Sequence, residues 1–187
     1  MIDPQQARTQ VLLAANALFY QRGIQAVGMD AVRSAAGISL KRLYSLFPSK
    51  DALLIEVLKG WTAEWNEGVS LASHSATTPR DKLLAIYDFL DGWFRQDDFR
   101  GCAFINSFGE LGAVSPDVAE IARGQKLAFQ HYVASLVEEL GGSPALAAQL
   151  AILAEGAQTT AAISGRPDAA FQARAAAEVL IGRELAA

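Results

Sequence analysis

Two cations stand side by side in the run AGISLKRLYSLFPSKDAL, residues 36–53, within a chain of formal net charge -4. Lys41 and Arg42 are followed by Tyr44 and then by Lys50. A guanidinium offers the forked pair of donors that guanine accepts in the major groove, whereas an ammonium or a phenol suits a phosphate oxygen. Such chemistry recognises a duplex and makes no bonds. The placement of charge agrees. Residues 1–60 hold seven cations (Arg8, Arg22, Arg33, Lys41, Arg42, Lys50 and Lys59) and four anions (Asp3, Asp30, Asp51 and Glu56), so the excess of acid lies in the remainder. A basic head on an acidic body is the electrostatic footprint of a nucleic-acid reader joined to a module with another task.

Residues suited to catalysis are sparse. The single cysteine, Cys102, has no partner for an internal disulfide, which points to a reducing cytoplasm. As a nucleophile it needs a basic neighbour, and His74 and His131 fall in separate segments. One cysteine and two scattered histidines give no zinc spacing, and no glycine-rich phosphate loop is present. The chain is therefore expected to be no enzyme and to carry no cofactor or metal. No run approaches the roughly 18 uncharged apolar residues of a membrane span, so no membrane partner is expected. The opening MIDPQQARTQ lacks the basic-then-apolar order of a secretory signal.

The elements that must position the cations are helical. Asp3-Pro4, Thr78-Pro79, Ser115-Pro116 and Ser143-Pro144 each set a capping oxygen before a proline at the first helical position. Stops are expected at Gly23, Gly37, Gly101, Gly112, Gly141-Gly142 and Gly165, where glycine takes the left-handed conformation. Between these marks apolar residues recur with a period near 3.6: Val11, Ala15, Leu18 and Phe19, then Leu54, Val57, Leu58, Trp61 and Trp65. The pattern predicts an all-α fold of about nine helices, over 4–21, 29–36, 40–46, 50–72, 79–95, 102–111, 116–140, 144–164 and 168–185. A DNA-binding domain is expected over 1–48, linked through the helix 49–72 to a ligand-binding and dimerisation domain over 49–187.

The second and third helices are short and are joined by Gly37-Ile38-Ser39, which fits a helix-turn-helix. Gly37 ends one helix and Ser39 caps the next, while Leu40, Leu43 and Phe47 approximate a buried stripe. The side chains at the start of such a recognition helix reach base edges.

The stretch GMDAVRSAAGISLKRLYSLFPSKDALLIEVL, with Ala14-Ala15, Leu18-Phe19 and Arg22-Gly23 before it, resembles the helix-turn-helix and linker helix of TetR-family transcriptional regulators. The register that carries the likeness is Ala36, Gly37, Ile38, Ser39, then Leu43, Tyr44, Phe47, Ser49, Lys50 and Asp51. It covers about residues 5–60. The resemblance implies a homodimer on a palindromic operator of double-stranded DNA, with Tyr44 and Lys50 holding phosphates. It departs from the family at Gly28, where a threonine usually opens the second helix, and at Arg33, where a small alanine is usual. The resulting DNA-binding set is Gly28, Met29, Arg33, Ser39, Leu40, Lys41, Arg42, Tyr44, Ser45 and Lys50.

The acidic remainder is expected to dimerise and to bind a small molecule with an apolar part. The last two helices, rich in alanine, supply the dimer candidates Leu146, Leu150, Leu153, Ala157, Ala161, Phe171, Ala175 and Val179. The aromatic middle supplies pocket candidates: Trp61, Trp65, Phe89, Trp93, Cys102, Phe104, Asn106, Phe108, Glu110, Phe129, His131, Tyr132 and Gln158. Together these point to a ligand-responsive repressor that a small molecule releases from its operator. The competing reading is a helical protein that binds a small molecule or senses oxidation through Cys102 without touching DNA.

Overall fold

The structure, a computed structural model, describes residues 3–186. Among them are nine α-helices and no strand: α1 (Pro4–Arg22), α2 (Met29–Ala35), α3 (Leu40–Leu46), α4 (Lys50–Ser73), α5 (Pro79–Phe94), α6 (Ala103–Leu111), α7 (Pro116–Glu139), α8 (Pro144–Ser164) and α9 (Ala169–Leu185). Every boundary lies within one residue of its sequence expectation, and at α1, α5 and α8 capping chemistry fixes the start. The Asp3 carboxylate accepts from the N–H of Gln5 and Gln6, at 3.1 and 3.3 Å. Thr78 Oγ1 accepts from Asp81 N–H at 3.1 Å and Ser143 Oγ from Leu146 N–H at 3.3 Å, each ahead of a proline that has no N–H to satisfy.

Two expected glycine stops act differently. Gly112 is absent from the positive-φ glycines; it follows α6 because a Cβ there would sit 2.6 Å from the carbonyl oxygen of Phe108. Gly101 does take φ +89° but precedes α6, whereas α5 closes at Arg95 in ordinary right-handed backbone.

The chain forms two compact units. The first comprises Met1–Ala63 and Ala103–Ala122. Here α1 packs on α2 and α2 on α3. Its interior holds Val11, Ala15 and Phe19 of α1, Ile24 and Val27 of the following turn, Val32, Leu43 and Phe47, with Leu53, Leu54, Val57 and Leu58 of α4. Burial of each such side chain contributes roughly 1.5–3 kcal/mol relative to exposure. The expected boundary after residue 48 differs from this division, because the early turns of α4 complete the core beneath α1. The Trp61 indole N–H donates to Asn16 Oδ1 and extends that attachment.

The second unit comprises Glu64–Cys102 and Arg123–Ala187, in which α5 packs on α8 and α9 and those two pack on each other. The Trp65 ring meets Phe89, Trp93 and Phe129 edge-on, at centroid distances of 5.5, 5.7 and 5.7 Å. Gly68 permits this packing, since a Cβ there would approach the Phe89 ring to 2.5 Å. The Tyr87 hydroxyl donates to the Leu150 carbonyl at 2.8 Å, and burial pushes its phenol well above the ordinary range. No helix among the described residues is long and apolar enough to cross a membrane.

Candidate nucleic-acid interface

Helix α3 divides its side chains sharply. Leu43 and the following Phe47 are buried, at 0% and 2% exposure. Leu40 departs from the expected stripe: it is 41% exposed and stands beside Lys41 and Tyr44, the latter 46% exposed. Residue 40 is the first of α3, one turn before Leu43, and at that end the helix has run past the core that Leu43 fills. Arg42 is half-buried. Among the described residues no ion pair or hydrogen bond engages the Lys41 or Arg42 side chain or the Tyr44 hydroxyl, so their donors are unspent.

The turn that aims this face is built from backbone bonds. Gly37 takes φ +65°, and Ile38 N–H reaches back to the Arg33 carbonyl at 3.2 Å, a closure that a side chain at residue 37 would strain. Ser39 Oγ then accepts from Arg42 N–H at 3.2 Å and starts α3. The Ser45 hydroxyl donates to the Arg42 carbonyl at 2.7 Å, so its proton is spent inside the helix. Arg33 pairs with Asp30 at 2.7 Å on an exposed face. Gly28 caps α2 with no side-chain oxygen, is exposed, and has nothing within 4 Å of where a Cβ would stand; Met29 beside it is half-buried.

Lys50 is more than a surface cation. Its ammonium donates to the Ile24 carbonyl and lies 5.9 Å from the centre of the Phe19 ring. The N–H of Ile24 in turn donates to Glu110 Oε1 at 3.0 Å, and Gln25 N–H donates to Glu110 Oε2 at 2.8 Å. Gln25 Nε2 returns a bond to the Glu110 carbonyl at 2.6 Å. The turn between α1 and α2 is thus clasped by α4 from one side and by α6 from the other. Arg8 adds a third tie. Its guanidinium stacks 4.5 Å over the Phe47 ring and pairs with Glu56 at 2.7 Å. The Glu56 carboxyl is held below the ordinary range chiefly by its hydrogen bond from Lys59, against the opposing effect of burial, with the Lys59 charge and then Arg8 lowering it further. Arg8 and Glu56 were not singled out in the sequence, and Glu110 was expected to line a ligand pocket.

The pocket candidates are distributed over both units. In the first, Trp61, Asn106 and Glu110 line a cavity of about 420 Å³ with Phe19, Tyr20, Ile24 and Ser107, whereas Phe104 is buried and Phe108 is 51% exposed. In the second, Trp65, Phe129 and Tyr132 line a cleft of about 460 Å³ together with Asn66, Ser70, Ser73, Lys82 and Ser135. Phe89 and Trp93 pack against the aromatic cluster, Cys102 and Gln158 are buried, and His131 is exposed. Gln158 donates to the Ala154 carbonyl at 3.3 Å, and its buried Oε1 has no partner among the described residues.

The dimer candidates separate in the same way. Leu146, Leu150, Ala157 and Ala161 belong to the core of the second unit, because α8 turns that stripe toward α5 and α9. Leu153 is half-buried, and Phe171, Ala175 and Val179 remain exposed, joined by Ile152 at 69% and Ile163 at 84%.

Residues 11–57 match the family model described as bacterial regulatory proteins, tetR family. The chain is 36% identical over 88 residues to the HTH-type transcriptional activator FasR of Mycolicibacterium smegmatis, covering 45% of this chain and 40% of that protein. It is 31% identical over 88 residues to the HTH-type transcriptional repressor KstR2 of Rhodococcus jostii, over 45% and 43% of the two chains. These matches therefore span well under half of each curated relative. Across nearly the full length the fold is similar to that of SCO4454, a TetR-family transcriptional regulator from Streptomyces coelicolor, with TM-score 0.90, 24% identity and 96% of each chain covered. It is also similar to sav143 of Streptomyces avermitilis, described as a TetR-type regulator, with TM-score 0.76, 28% identity, and 92% and 98% covered.

Proposed function

We infer that this chain, whose residues 11–57 match the tetR family model, is a DNA-binding transcriptional regulator of that family which occupies a palindromic operator as a homodimer and leaves it when a small molecule binds. The observation that carries this reading is the α3 face. Leu40, Lys41, Arg42 and Tyr44 offer an apolar contact, two cations and a phenol from a helix whose opposite side is anchored by Leu43 and Phe47. Arg42 is assigned to a guanine edge, Lys41 to a base or a phosphate, and Tyr44 to the backbone. Two copies would set two such helices about one duplex turn apart.

The exposed row Ile152, Ile163, Phe171 and Val179 on α8 and α9 supports a second copy of the chain as partner, since burying it removes apolar area from water. For the effector, the cleft of the second unit is lined by the apolar Trp65, Val69, Phe129 and Leu136 together with the hydroxyl-bearing Ser70, Ser73 and Tyr132. That lining suits a molecule with an apolar body and a few polar groups. Release follows if the effector prefers a geometry in which the two recognition helices no longer match the half-site spacing.

Selection of bound duplexes from a random pool, followed by titration across salt concentrations, tests this reading. The expected product is an inverted repeat bound with a steep salt dependence. A folded dimer that enriches no sequence would overturn it.

A further inference from the structure

The DNA-binding unit holds a cavity of its own. Its volume of about 420 Å³ lies in the range of roughly 300–1,000 Å³ that small ligands occupy, and its lining comes from α1, α4, α6 and the turn after α1, all of the first unit. Phe19, Tyr20 and Trp61 give it aromatic walls, and the Tyr20 and Trp61 rings meet edge-on at 6.1 Å. Glu110 is the one charged lining residue. Each of its carboxylate oxygens accepts a single backbone N–H, from Ile24 and from Gln25, and a carboxylate has room for about two donors more. Among the described residues no ion pair engages it. Lys50, which reaches the same turn, donates to the Ile24 carbonyl and is not a lining residue. The aromatic faces and the carboxylate both carry negative character, so they favour the same charge on an occupant.

We propose that this cavity is a second small-molecule site, built into the DNA-binding unit, for an organic ammonium with a flat apolar body. It is separate from the cleft of the second unit assigned to the effector, and it does not rest on that assignment. The ammonium donates to the Glu110 carboxylate while the apolar body packs against Phe19, Tyr20 and Trp61. A neutral molecule of the same shape keeps the packing and loses the charge-assisted bond. An anion of that shape meets a like charge in a partly enclosed space and is rejected. Because the same carboxylate holds the N–H groups of Ile24 and Gln25, an occupant is tied directly to the turn that leads into α2. Binding therefore stabilises the folded first unit, the part that carries α3.

The test titrates the full-length protein with three probes of one shape and different charge: phenethylamine, phenethyl alcohol and hydrocinnamate. Calorimetry should show the amine binding about tenfold or more tighter than the alcohol, with no binding of the acid. In nitrogen–proton spectra the amine should move the indole N–H signal of Trp61, assigned through Trp61→Phe, more than those of Trp65 and Trp93, which belong to the second unit. Glu110→Gln should bring the amine and the alcohol to similar affinity. Gly109→Phe should abolish binding of both, since Gly109 lines the cavity and has nothing within 4 Å of where a Cβ would stand. Circular dichroism checks that each variant is folded, and if Glu110→Gln is not, Gly109→Phe decides. Equal affinity for amine and alcohol in the unaltered protein, amine binding that survives Gly109→Phe, movement of Trp65 or Trp93 in place of Trp61, or no response at millimolar amine would each overturn the proposal. None of these readouts uses DNA, so failure here leaves the operator reading standing, and failure to enrich an operator leaves this site untouched.

Discussion

The two units expose side chains of opposite character for opposite reasons. On α3 the outward residues include unspent cations and a phenol, and the helix is only seven residues long, so its orientation is borrowed from the core beneath it and from Arg8, Lys50 and Glu110 around it. On α8 and α9 the outward residues include Ile152, Ile163, Phe171 and Val179, and the helices run for 21 and 17 residues over a core of their own. The first surface depends on precise aim and the second on area. Damage to support should therefore ruin the first, while damage to surface should ruin the second and leave its fold intact.

The largest effect is expected from Leu43→Ala. It opens a cavity under α3 at a side chain with 0% exposure and costs about 2–5 kcal/mol. Denaturant unfolding should show that loss, and duplex binding should vanish with it. Phe171→Glu comes next. It should shift the chain to a monomer in analytical ultracentrifugation, at a cost of roughly 2 kcal/mol or more to association, with helix content unchanged. A stable dimer of that variant would move the area-dependent surface elsewhere. Arg42→Ala should cost about 1–3 kcal/mol on the selected operator and less on unrelated duplex, read by fluorescence anisotropy. Equal losses on both would reduce Arg42 to a backbone contact.

Smaller effects sharpen the same contrast. The folded Glu56 carboxyl titrates below its unfolded value of about 4.3, so its contribution is complete above that pH and is lost as pH falls through the lower folded value. The pair with Arg8 is partly solvated and supplies on the order of 1 kcal/mol or less. Melting curves should therefore show Glu56→Gln destabilising the chain near neutrality and converging on the unaltered protein as the pH falls through the lowered folded value. Gly28→Thr should have the smallest effect. Open space at the site and extended backbone at φ -91° accept the side chain, and a new cap is worth a few tenths of a kcal/mol. Operator affinity should rise by a small factor if its hydroxyl also reaches a phosphate.

Much of this fold is written locally. Asp3, Thr78, Ser143 and Gly37 specify helix ends through bonds that span a few residues, which is why the nine helices are legible along the chain. The face of α3 is legible for the same reason, except at Leu40, where position in the helix decides exposure. The ties that hold that face are not local. Arg8 and Glu56 are 48 residues apart, and Glu110 and Ile24 are 86 apart, with no spacing pattern to join them. Helix α8 is ambiguous along the chain for a different reason. Its leucines and alanines cover more than one side, so periodicity does not say which stripe faces its own core and which faces a partner.

Ile24 offers a consequence of its own. Its N–H is held by Glu110 and its carbonyl by Lys50, while its side chain is 1% exposed. An amide so enclosed in a turn should exchange its hydrogen for deuterium as slowly as one inside a helix. Exchange there reports first on the Glu110 bond from α6. An effector that loosens α6 should therefore speed labelling at Ile24 and Gln25 while the amides of α3 stay protected, making that peptide a built-in gauge of whether the head is engaged.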